Sequence, residues 1–466
     1  MFQIFNYNLS TINYQLSTKM IFEPFHIKNL NFKNRILRSS IGGRTSYYDG
    51  TVTSAFKNFE KRFAENDVAG IISATISVND KRTSPMEYPK LSDDRFVKPL
   101  SEAIKAVHTY DCRYIVQIGD TGGHTHTSLF KQKEDAMTCS KFFDFAYGYH
   151  TRSEKMNAEE IEETINNFAE AGRRVREAGA DGLEITASKG YIIHQFLNPG
   201  VNSRNDKYGG SIDKRFQLLE DIILETKKKV GNDFPIGIRL SSADYNYLPL
   251  NLRLPIRFPL KNWYFGNTIK EYLYYAKKLK QLGIDYLHID MGYGFINPKG
   301  NPGNFPLHEM KMFYNSNRHL SGKAWIRAAI LNGIPEFILN PVMNIGWKYV
   351  PGISADNSKL FKEETGLPVI ANGGFQEKDF IESTLQSGKA DMVAMARPLL
   401  ANVNLVDIFR QGKNMPDRPC THCNRCPART PLSPLGCYDL SRFNSQDEME
   451  AQIMEWSASS DEQMDS

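Results

Sequence analysis

Short apolar runs alternate with longer stretches of helical periodicity along most of the chain. The runs lack the strict alternation of a half-exposed strand, as expected for parallel strands buried on both faces. This order of elements predicts a parallel sheet with crossover helices. The eight runs are Arg35–Ser40, Ala69–Ser77, Tyr114–Ile118, Gly182–Thr186, Pro235–Leu240, Tyr286–Asp290, Pro368–Ala371 and Asp391–Ala396.

The junctions before three of these runs support the same interpretation. They read EAGADGLEI, QLGIDYLHI and QSGKADMVAM, each with glycine after a helical stretch and aspartate before the apolar run. Glycine ends helices readily because it adopts the left-handed conformation at little cost. Apolar residues at helical spacing predict further helices at about 158–178 and 213–230.

Eight strand–helix units favour a closed barrel over an open doubly wound sheet. An open dinucleotide-binding sheet would carry Gly-x-Gly-x-x-Gly after a strand, and the sequence has no such motif. The sequence therefore predicts an α/β fold, a (β/α)8 TIM barrel over residues 20–406. The loops after strands five and six, 241–267 and 291–322, are long for this fold, and we expect them to cover a binding site.

Composition excludes several functional classes. The 466 residues are 41% hydrophobic and carry a net charge of only +4, with scattered basic residues, so we expect no nucleic-acid partner. No apolar run approaches the roughly 20 residues that span a bilayer, and the first residues lack the apolar core of a signal peptide. The sequence thus predicts a cytoplasmic protein without a membrane partner.

Both ends of the chain are expected to lie outside the barrel. The tandem repeat NYNLSTI-NYQLSTK marks residues 1–19 as a non-native-looking leader, which we interpret as a translated upstream DNA repeat before a working start at Met20. Residues 407–440 form an extension with clustered cysteines. Residues 441–466 are acidic and polar, which predicts a disordered tail.

Two of the predicted strand ends carry residues suited to bind phosphate. Strand seven ends in Gly373 and Gly374, which leave their backbone N–H groups accessible, and strand eight ends in Arg397. In a (β/α)8 barrel, phosphate groups commonly bind after strands seven and eight, and arginine offers a planar set of donors. These residues predict a phosphate-bearing ligand at this rim, with an ordinary turn and a surface arginine as the alternative.

Three polar residues at other strand ends face the same rim: Gln117, Glu184 and Arg239. An inward arginine needs a partner because a buried lone charge is costly. The electron-rich N1–C2=O edge of a flavin would serve, and glutamine can both donate to and accept from the flavin pyrimidine. The alternative is an internal ion pair between Arg239 and a carboxylate such as Glu184.

The segment GADGLEITASKGYIIHQFLNPGVNSRNDKYGGSIDKRF closely resembles the old yellow enzyme family of NADH:flavin oxidoreductases. NRILRSS, GIRLS, YLHID, PVIANGG and MARPLLANVNL are also similar, so that the resemblance runs from about Ile21 to Cys437. It looks nearest to the branch of 2,4-dienoyl-CoA reductase and trimethylamine dehydrogenase, without the extra nucleotide-binding domains of those enzymes.

The resemblance implies an FMN site and NAD(P)H as electron donor. By matching positions, Gln117 and Arg239 would hold the flavin pyrimidine, Ala74 would lie near the ring, and the phosphate would bind the strand-seven and strand-eight residues Gly373, Gly374 and Arg397. Gly42 stands where the family often has threonine or cysteine near flavin C4, so tuning by that side chain is lost.

The same resemblance implies a catalytic set that departs from the family. The two positions that grip a substrate carbonyl, usually histidine with histidine or asparagine, are here Thr186 and Lys189. Tyr191 matches the tyrosine that protonates the carbon next to the hydride acceptor, and a phenol is protonated at neutral pH. Lys189 would favour an enolate-like transition state or a carboxylate. The alternatives are a salt bridge for Lys189 and core packing for Tyr191.

Four cysteines after the barrel have the spacing C-x2-C-x2-C-x10-C: Cys420, Cys423, Cys426 and Cys437. Four thiolates can bind a [4Fe–4S] cluster or zinc. The resembling branch has a cluster here, but with one residue more in each of the last two gaps. A cluster, zinc and unligated thiols all stay open on the sequence.

The sequence as a whole predicts an oxidoreductase that transfers hydride from NAD(P)H through FMN to an activated alkene or similar small-molecule acceptor. One alternative is an oxidative flavin dehydrogenase of an amine or alcohol, which the changed carbonyl-binding pair favours. Another is a flavin-bound redox sensor without catalysis. The sequence leaves the substrate, the nicotinamide preference and homo-oligomer formation open.

Overall fold

Eight parallel strands close into a barrel in the computed structural model, which describes residues 20–82, 88–124, 136–142, 153–246, 261–294, 297–319 and 322–455. The strands of the described chain are β1 (Phe25–Ile27), β2 (Leu30–Phe32), β3 (Ile36–Arg38), β4 (Gly70–Ile72), β5 (Ile76–Ser77), β6 (Arg113–Gly119), β7 (Ala136–Thr138), β8 (Ser153–Lys155), β9 (Gly182–Ala187), β10 (Ile236–Ser241), β11 (Tyr286–Asp290), β12 (Val369–Asn372) and β13 (Met392–Met395).

The barrel order follows the chain: β3, β4, β6, β9, β10, β11, β12 and β13, with β13 pairing back to β3. All eight predicted runs are barrel strands, and the predicted (β/α)8 fold is confirmed. The run Ala69–Ser77 is divided into β4 and β5 because the Ser73 hydroxyl, instead of a backbone carbonyl, accepts the Gln117 N–H at 2.9 Å. The second barrel strand therefore bends beside the rim.

Helices follow the strands on the outside. They are α1 (Ser54–Glu65), α2 (Val97–His108), α3 (Ala158–Glu177), α4 (Ile192–Leu197), α5 (Ile212–Val230), α6 (Lys261–Tyr264), α7 (Ile269–Gln281), α8 (Leu307–Ser316), α9 (Gly322–Gly333), α10 (Glu336–Met343), α11 (Ala355–Thr365), α12 (Lys378–Gln386), α13 (Arg397–Ala401), α14 (Leu405–Arg410), α15 (Arg425–Arg429) and α16 (Gln446–Met454). Short 3-10 helices lie at 20–22, 94–96, 122–124 and 440–442.

The helix signals in the sequence are satisfied locally. Asn157 and Glu160 form a capping box at the start of α3, and Ser211 caps α5, which ends at Gly231 with φ +78°. Both helices match the predicted ranges to within a residue. No helix in the described part of the chain is long and apolar enough to cross a membrane.

The hairpin β1–β2 closes the amino-terminal end of the barrel. Its side chains Ile27, Leu30 and Phe32 pack against residues near the amino-terminal ends of the barrel strands, including Ile115 and Tyr286. Tyr286 fills the barrel interior against Gly237, where a Cβ atom would lie 2.0 Å from the tyrosine ring. With this end filled, a ligand has room at the carboxyl ends of the strands, where active sites of this fold lie.

The connection after β11 is longer than the sequence predicted. It runs from Met291 to Ser354 and carries α8, α9 and α10 before the barrel helix α11 begins. The loop after β10 lies largely at 247–260, outside the described residues, as do the leader 1–19 and the last residues 456–466.

The prediction of a disordered tail is wrong over residues 441–455. Helix α16 packs Met449 and Ile453 against Tyr438, and a serine cap at Ser445 begins the helix. Arg442 is buried and donates to the carbonyl groups of Ala401 and Arg418. A few apolar anchors in a polar sequence are thus enough to dock this segment on the extension.

Candidate active site

A cavity of about 250 Å³ opens at the carboxyl ends of the barrel strands. A single buried water needs roughly 10–15 Å³, so this cavity accepts a ligand of many atoms. Nearly every barrel strand contributes a wall residue: Ser39, Thr75, Gln117, Thr186, Arg239, Asn372 and Met395, with Gly373, Gly374 and Arg397 beyond the last two strands. The connection after β11 covers the cavity with Gly300, Asn301, Pro306, Met310, Phe313 and Trp347.

The two glycines after β12 form an open backbone turn on one side of the cavity. Gly373 and Gly374 have φ angles of +110° and +76°, and a Cβ atom on Gly374 would lie 2.2 Å from the Val350 carbonyl oxygen. Arg397 lines the same cavity, and its guanidinium donates to the Pro302 carbonyl at 2.9 Å and to the Asn424 side chain. The structure therefore brings together the three residues predicted to bind phosphate.

Gln117 is held by hydrogen bonds at both ends of its amide. Its Nε2 donates to Glu184 Oε1 at 2.6 Å, and its Oε1 accepts from the Thr75 hydroxyl at 2.5 Å. Glu184 is fully buried and also contacts His288 at 3.1 Å. Burial opposes ionisation of this carboxyl, but His288, with Arg239 and Gln117, lowers its pKa. The Gln117 amide is thereby fixed in one orientation at the cavity wall.

Arg239 pairs with Asp290, the last residue of β11, and not with Glu184. Its Nε and Nη2 lie 3.0 and 2.9 Å from Asp290 Oδ2. The internal ion pair considered for this arginine exists, but with a different carboxylate. Residue 290 pairs with Ser241 in the β10–β11 register, two positions from Arg239, which places both side chains on the inward face.

The Lys189 ammonium has three acceptors around it. The carbonyl oxygens of Met291 and Gly300 lie 3.2 Å from Nζ, and Asp290 Oδ2 lies 3.5 Å away. Burial lowers the pKa of Lys189, Asp290 raises it and Arg239 lowers it, with a net decrease. An ammonium has three N–H donors, so Lys189 ties its own turn to the covering connection.

The turn that carries Lys189 and Tyr191 is supported from beneath by a buried histidine. Lys189 and Gly190 have φ angles of +56° and +77°, and the Gly190 N–H donates to His194 Nδ1 at 3.0 Å. Nδ1 is therefore an acceptor, and Nε2, 2.7 Å from Asp244, is the protonated nitrogen. These hydrogen bonds fix the turn and with it the positions of Lys189 and Tyr191.

Tyr191 meets a residue that sequence reasoning missed. Its phenol donates to the Tyr88 hydroxyl at 3.1 Å, and both rings line the cavity. Gly42 makes the room, because a Cβ atom there would lie 2.6 Å from the Tyr88 ring. The usable signal was that glycine in place of a larger side chain leaves space for another one. Burial raises the pKa of Tyr191, although hydrogen bonds to Thr75 and Tyr88 lower it.

Of the predicted site residues Thr186 and Ala74, only Thr186 lines the cavity. Thr186 lines it, and its hydroxyl oxygen is buried without a hydrogen-bond partner within the described chain. Ala74 packs in the hydrophobic core, and its neighbour Thr75 takes the place at the wall. An orphaned hydroxyl at a cavity wall is a polar group that a bound ligand can satisfy.

The four clustered cysteines surround a second, smaller cavity beside the first. Cys420, Cys423, Cys426 and Cys437 all line it and form no disulfide. Burial and the neighbouring thiols raise the pKa of Cys420 to about 11. Cys426 and Arg397 border both cavities. Within the described residues, no three His, Cys, Asp or Glu side chains converge on a point that could hold a single metal ion.

The sequence model of the NADH:flavin oxidoreductase / NADH oxidase family matches this chain over residues 20–248 and 344–416, well over half of its length. The chain belongs to this family. The match contains the strand-end residues that line the cavity, whereas β11 and most of the connection after it, including Gly300, Met310 and Phe313, lie in the unmatched segment 249–343.

Two curated relatives show how similar this chain is to known proteins and how much of each protein it covers. The NADH oxidase of Thermoanaerobacter brockii is 25% identical over 405 residues, which are 87% of this chain and 52% of that protein. The NADPH dehydrogenase of Geobacillus sp. (strain WCH70) is 29% identical over 388 residues, 82% of this chain and 91% of that one. The chain spans about half the length of the first of these and of two further curated relatives.

A solved structure shares the fold. A 2-naphthoyl-CoA reductase in complex with 2-naphthoyl-CoA superposes with a TM-score of 0.70 at 20% identity, over 94% of this chain and 58% of that one. The two proteins thus share the fold.

Proposed function

We propose that this protein is an FMN-dependent oxidoreductase that takes hydride from NAD(P)H and delivers it to an alkene conjugated with a carbonyl group. The observation that carries the proposal is that one cavity joins Gly373, Gly374 and Arg397 to Gln117, Arg239 and Tyr191. Membership of the NADH:flavin oxidoreductase family supports it, as does the thioester-conjugated ligand named for the superposed reductase.

The residues present fit FMN. The glycine turn leaves backbone accessible beside Arg397, as a phosphate needs. Arg239 and Gln117 line the same cavity, each held by a neighbouring side chain, and would contact the flavin pyrimidine; the Thr186 hydroxyl there has no partner in the described chain and can bond a ligand. When bound, FMN supplies the hydride chemistry, accepting hydride from the nicotinamide and passing it to the substrate carbon.

Tyr191 is the proposed proton donor. Its buried phenol keeps a raised pKa and therefore holds its proton at neutral pH. It lies at the cavity wall, where it can protonate the carbon beside the one that receives hydride. The Tyr88 hydroxyl lies 3.1 Å from the Tyr191 hydroxyl; once Tyr191 gives its proton to the substrate, Tyr88 can rotate its own O–H to donate to the phenolate and stabilise it.

The substrate oxygen is proposed to bind the Thr186 hydroxyl and not Lys189. The three acceptors around Lys189 Nζ leave its donors occupied. Its positive charge still contributes at a distance, because negative charge that develops on a substrate oxygen is stabilised by nearby cations in a site shielded from water. Lys189 is thus a positioning residue in this mechanism, which binds the covering connection to the turn of Tyr191.

The cysteine cavity is proposed to bind a [4Fe–4S] cluster. A [4Fe–4S] cluster and a tetrahedral zinc ion can both take four thiolates, and the four cysteines line one cavity. A cluster presents iron atoms at separate corners, so its four thiolates can stand further apart around one cavity. N–H groups of Arg442 and His422 already donate to Cys437 Sγ at 3.1 Å and Cys420 Sγ at 3.4 Å, as cluster sulfurs favour.

An anaerobic reductive titration followed by an acceptor screen tests the main proposal. Purified protein reconstituted with FMN is titrated with NADH and with NADPH, and the reduced protein is then mixed with enones, enoyl thioesters, cinnamate and amines. We expect flavin bleaching by the nicotinamide and reoxidation by a conjugated alkene. Bleaching by an amine instead would indicate the oxidative direction, and a protein that binds no FMN would refute the proposal.

A further inference from the structure

Seven large apolar side chains stand exposed on helices α9 and α10 and just beyond them. We call this set the apolar face: Trp325, Ile326, Ile330, Phe337, Ile338, Val342 and Ile345. Their exposed fractions run from 49% to 79%. The two helices are consecutive, joined by two residues, so their exposed side chains lie close along the chain.

Helix α9 reverses the usual arrangement of an amphipathic helix. Its inward positions are Ala324, Arg327 and Ala328, whereas Trp325 and Ile330 point to solvent. A surface helix ordinarily buries its large apolar residues and exposes its polar ones. Ala328 packs in a cluster with Met310 and Phe313 of α8, and the partly buried Leu331 adds to it. Because the larger side chains of α9 lie on its other side, the pattern points to a second packing partner on the outside.

The seven side chains of the apolar face together expose a large area. With side-chain areas of roughly 150–250 Å² for the aromatic residues, their exposed fractions sum to on the order of 700 Å². A stable protein–protein interface buries about 800 Å² on each partner, so this face is close to what a dimer needs.

The charges around the face favour a second copy of this chain as the partner. From Lys323 to Lys348 the sequence has four charged residues: Lys323 and Lys348 at the two ends, and Arg327 and Glu336 between them. Arg327 is buried over the Tyr314 ring, and Glu336 pairs with Lys311 at 3.2 Å. A two-fold interface sets a surface against itself, so a neutral apolar face meets its copy without like-charge repulsion.

Other partners fit the face less well. Peripheral membrane helices carry several lysine and arginine residues beside the apolar ones to attract anionic lipid, whereas α9 and α10 together contain one lysine, Lys323, and one arginine, which is buried. Six of the seven residues lie in 249–343, outside the match to the family.

We propose that the protein forms a two-fold dimer through the apolar face. The dimer would clamp α9 and α10 against α8, whose Met310 and Phe313 line the large cavity. The inference does not rest on the flavin chemistry, so the dimer and the proposed reaction can fail separately.

Sedimentation velocity with the full chain tests the dimer. At about 10 µM protein we expect a mass of twice 53.1 kDa for the unaltered chain. The double variant Ile330→Asp/Phe337→Asp should sediment as a monomer. The control Leu224→Asp changes an exposed apolar residue of α5 outside the face and should stay dimeric.

Two further measurements keep the result unambiguous. Circular dichroism checks that both variants are folded, and hydrogen exchange should show faster exchange at α9 and α10 in the double variant alone. A monomeric unaltered chain, or a double variant that remains dimeric, would overturn the proposal. So would co-sedimentation of a monomeric unaltered chain with phosphatidylglycerol vesicles, which would assign the face to a membrane.

Discussion

The Tyr191 hydroxyl donates a hydrogen bond to the Tyr88 hydroxyl at 3.1 Å inside the large cavity. The two residues come from different loops, since Tyr88 precedes β6 and Tyr191 follows β9. Gly42 permits the pair, because any side chain there would meet the Tyr88 ring. The space beside Gly42 is thereby occupied by a phenol from another loop.

Replacing Tyr191 with phenylalanine should slow substrate reduction by about 10²–10⁴-fold, the usual contribution of a positioned general acid. Flavin reduction by NAD(P)H should be unchanged, because that step needs no proton from the phenol. Stopped-flow absorbance separates the two half-reactions. Equal loss in both would show that Tyr191 supports the cavity and does not donate the proton.

Replacing Tyr88 with phenylalanine should slow the substrate half-reaction by about fivefold, the equivalent of one hydrogen bond of about 1 kcal/mol. The Tyr88 hydrogen bond lowers the pKa of Tyr191, so its loss raises that pKa further and makes the phenol a weaker acid. Since the active form is protonated, the rate is lost as pH rises through the pKa of Tyr191, which burial holds above 10.

The pH profile of the substrate half-reaction therefore distinguishes the donors. For both the unaltered protein and Tyr88→Phe, we expect a flat rate from neutral pH to about pH 9. Lys189 has a pKa below its ordinary 10.5. A rate that falls well below pH 10, and that Lys189→Met abolishes, would identify Lys189 as the donor in place of Tyr191.

The barrel could be predicted from the sequence because every strand is a short apolar run buried on both faces. The glycine junctions and caps at Asn157 and Ser211 placed the helices to within a residue. Helices α9 and α10 could not be predicted in the same way, because α9 exposes its large apolar residues and so lacks an apolar stripe toward the core. Helix α16 was missed because only Met449 and Ile453 anchor it.

The cavity residues were predictable where they stand at strand ends, since those ends meet at one rim. Their partners were not, because pairing depends on three-dimensional register. Arg239 pairs with Asp290 and not Glu184, and Lys189 binds carbonyl groups of a connection far along the chain. Tyr88 lies in a loop without a strand-end signal, which is why no pattern singled it out.

Replacing Lys189 with methionine should lower the free energy of unfolding by about 2–4 kcal/mol, because three acceptors lose their common donor in a buried place. Urea unfolding measures the loss. The control Lys81→Met removes an exposed ion pair with Glu163 and should cost about 0–1 kcal/mol. Unchanged stability with a sharply raised KM would instead mean that Lys189 binds substrate directly.

Replacing Gly374 with alanine should weaken FMN binding by at least about tenfold. The new Cβ would lie 2.2 Å from the Val350 carbonyl at a φ of +76°, so the phosphate turn must deform. Fluorescence titration of apoprotein with FMN gives the dissociation constant. Gly388→Ala is the control, because it has a similar φ of +68° with nothing within 4 Å of the new Cβ. Equal weakening in both variants would assign the effect to general loss of stability.

Replacing Cys423 with alanine should remove iron and acid-labile sulfide from anaerobically purified protein, which we expect to contain about four of each per chain. The control Cys112→Ala alters a buried cysteine far from the four clustered cysteines in the sequence and should keep both iron and sulfide.

Because Arg397 and Cys426 border the two cavities, loss of the cluster should also weaken FMN binding in Cys426→Ala. If the protein contains about one zinc per chain instead, the four cysteines bind zinc and not a cluster. If it is folded and free of metal, the four thiols are unligated.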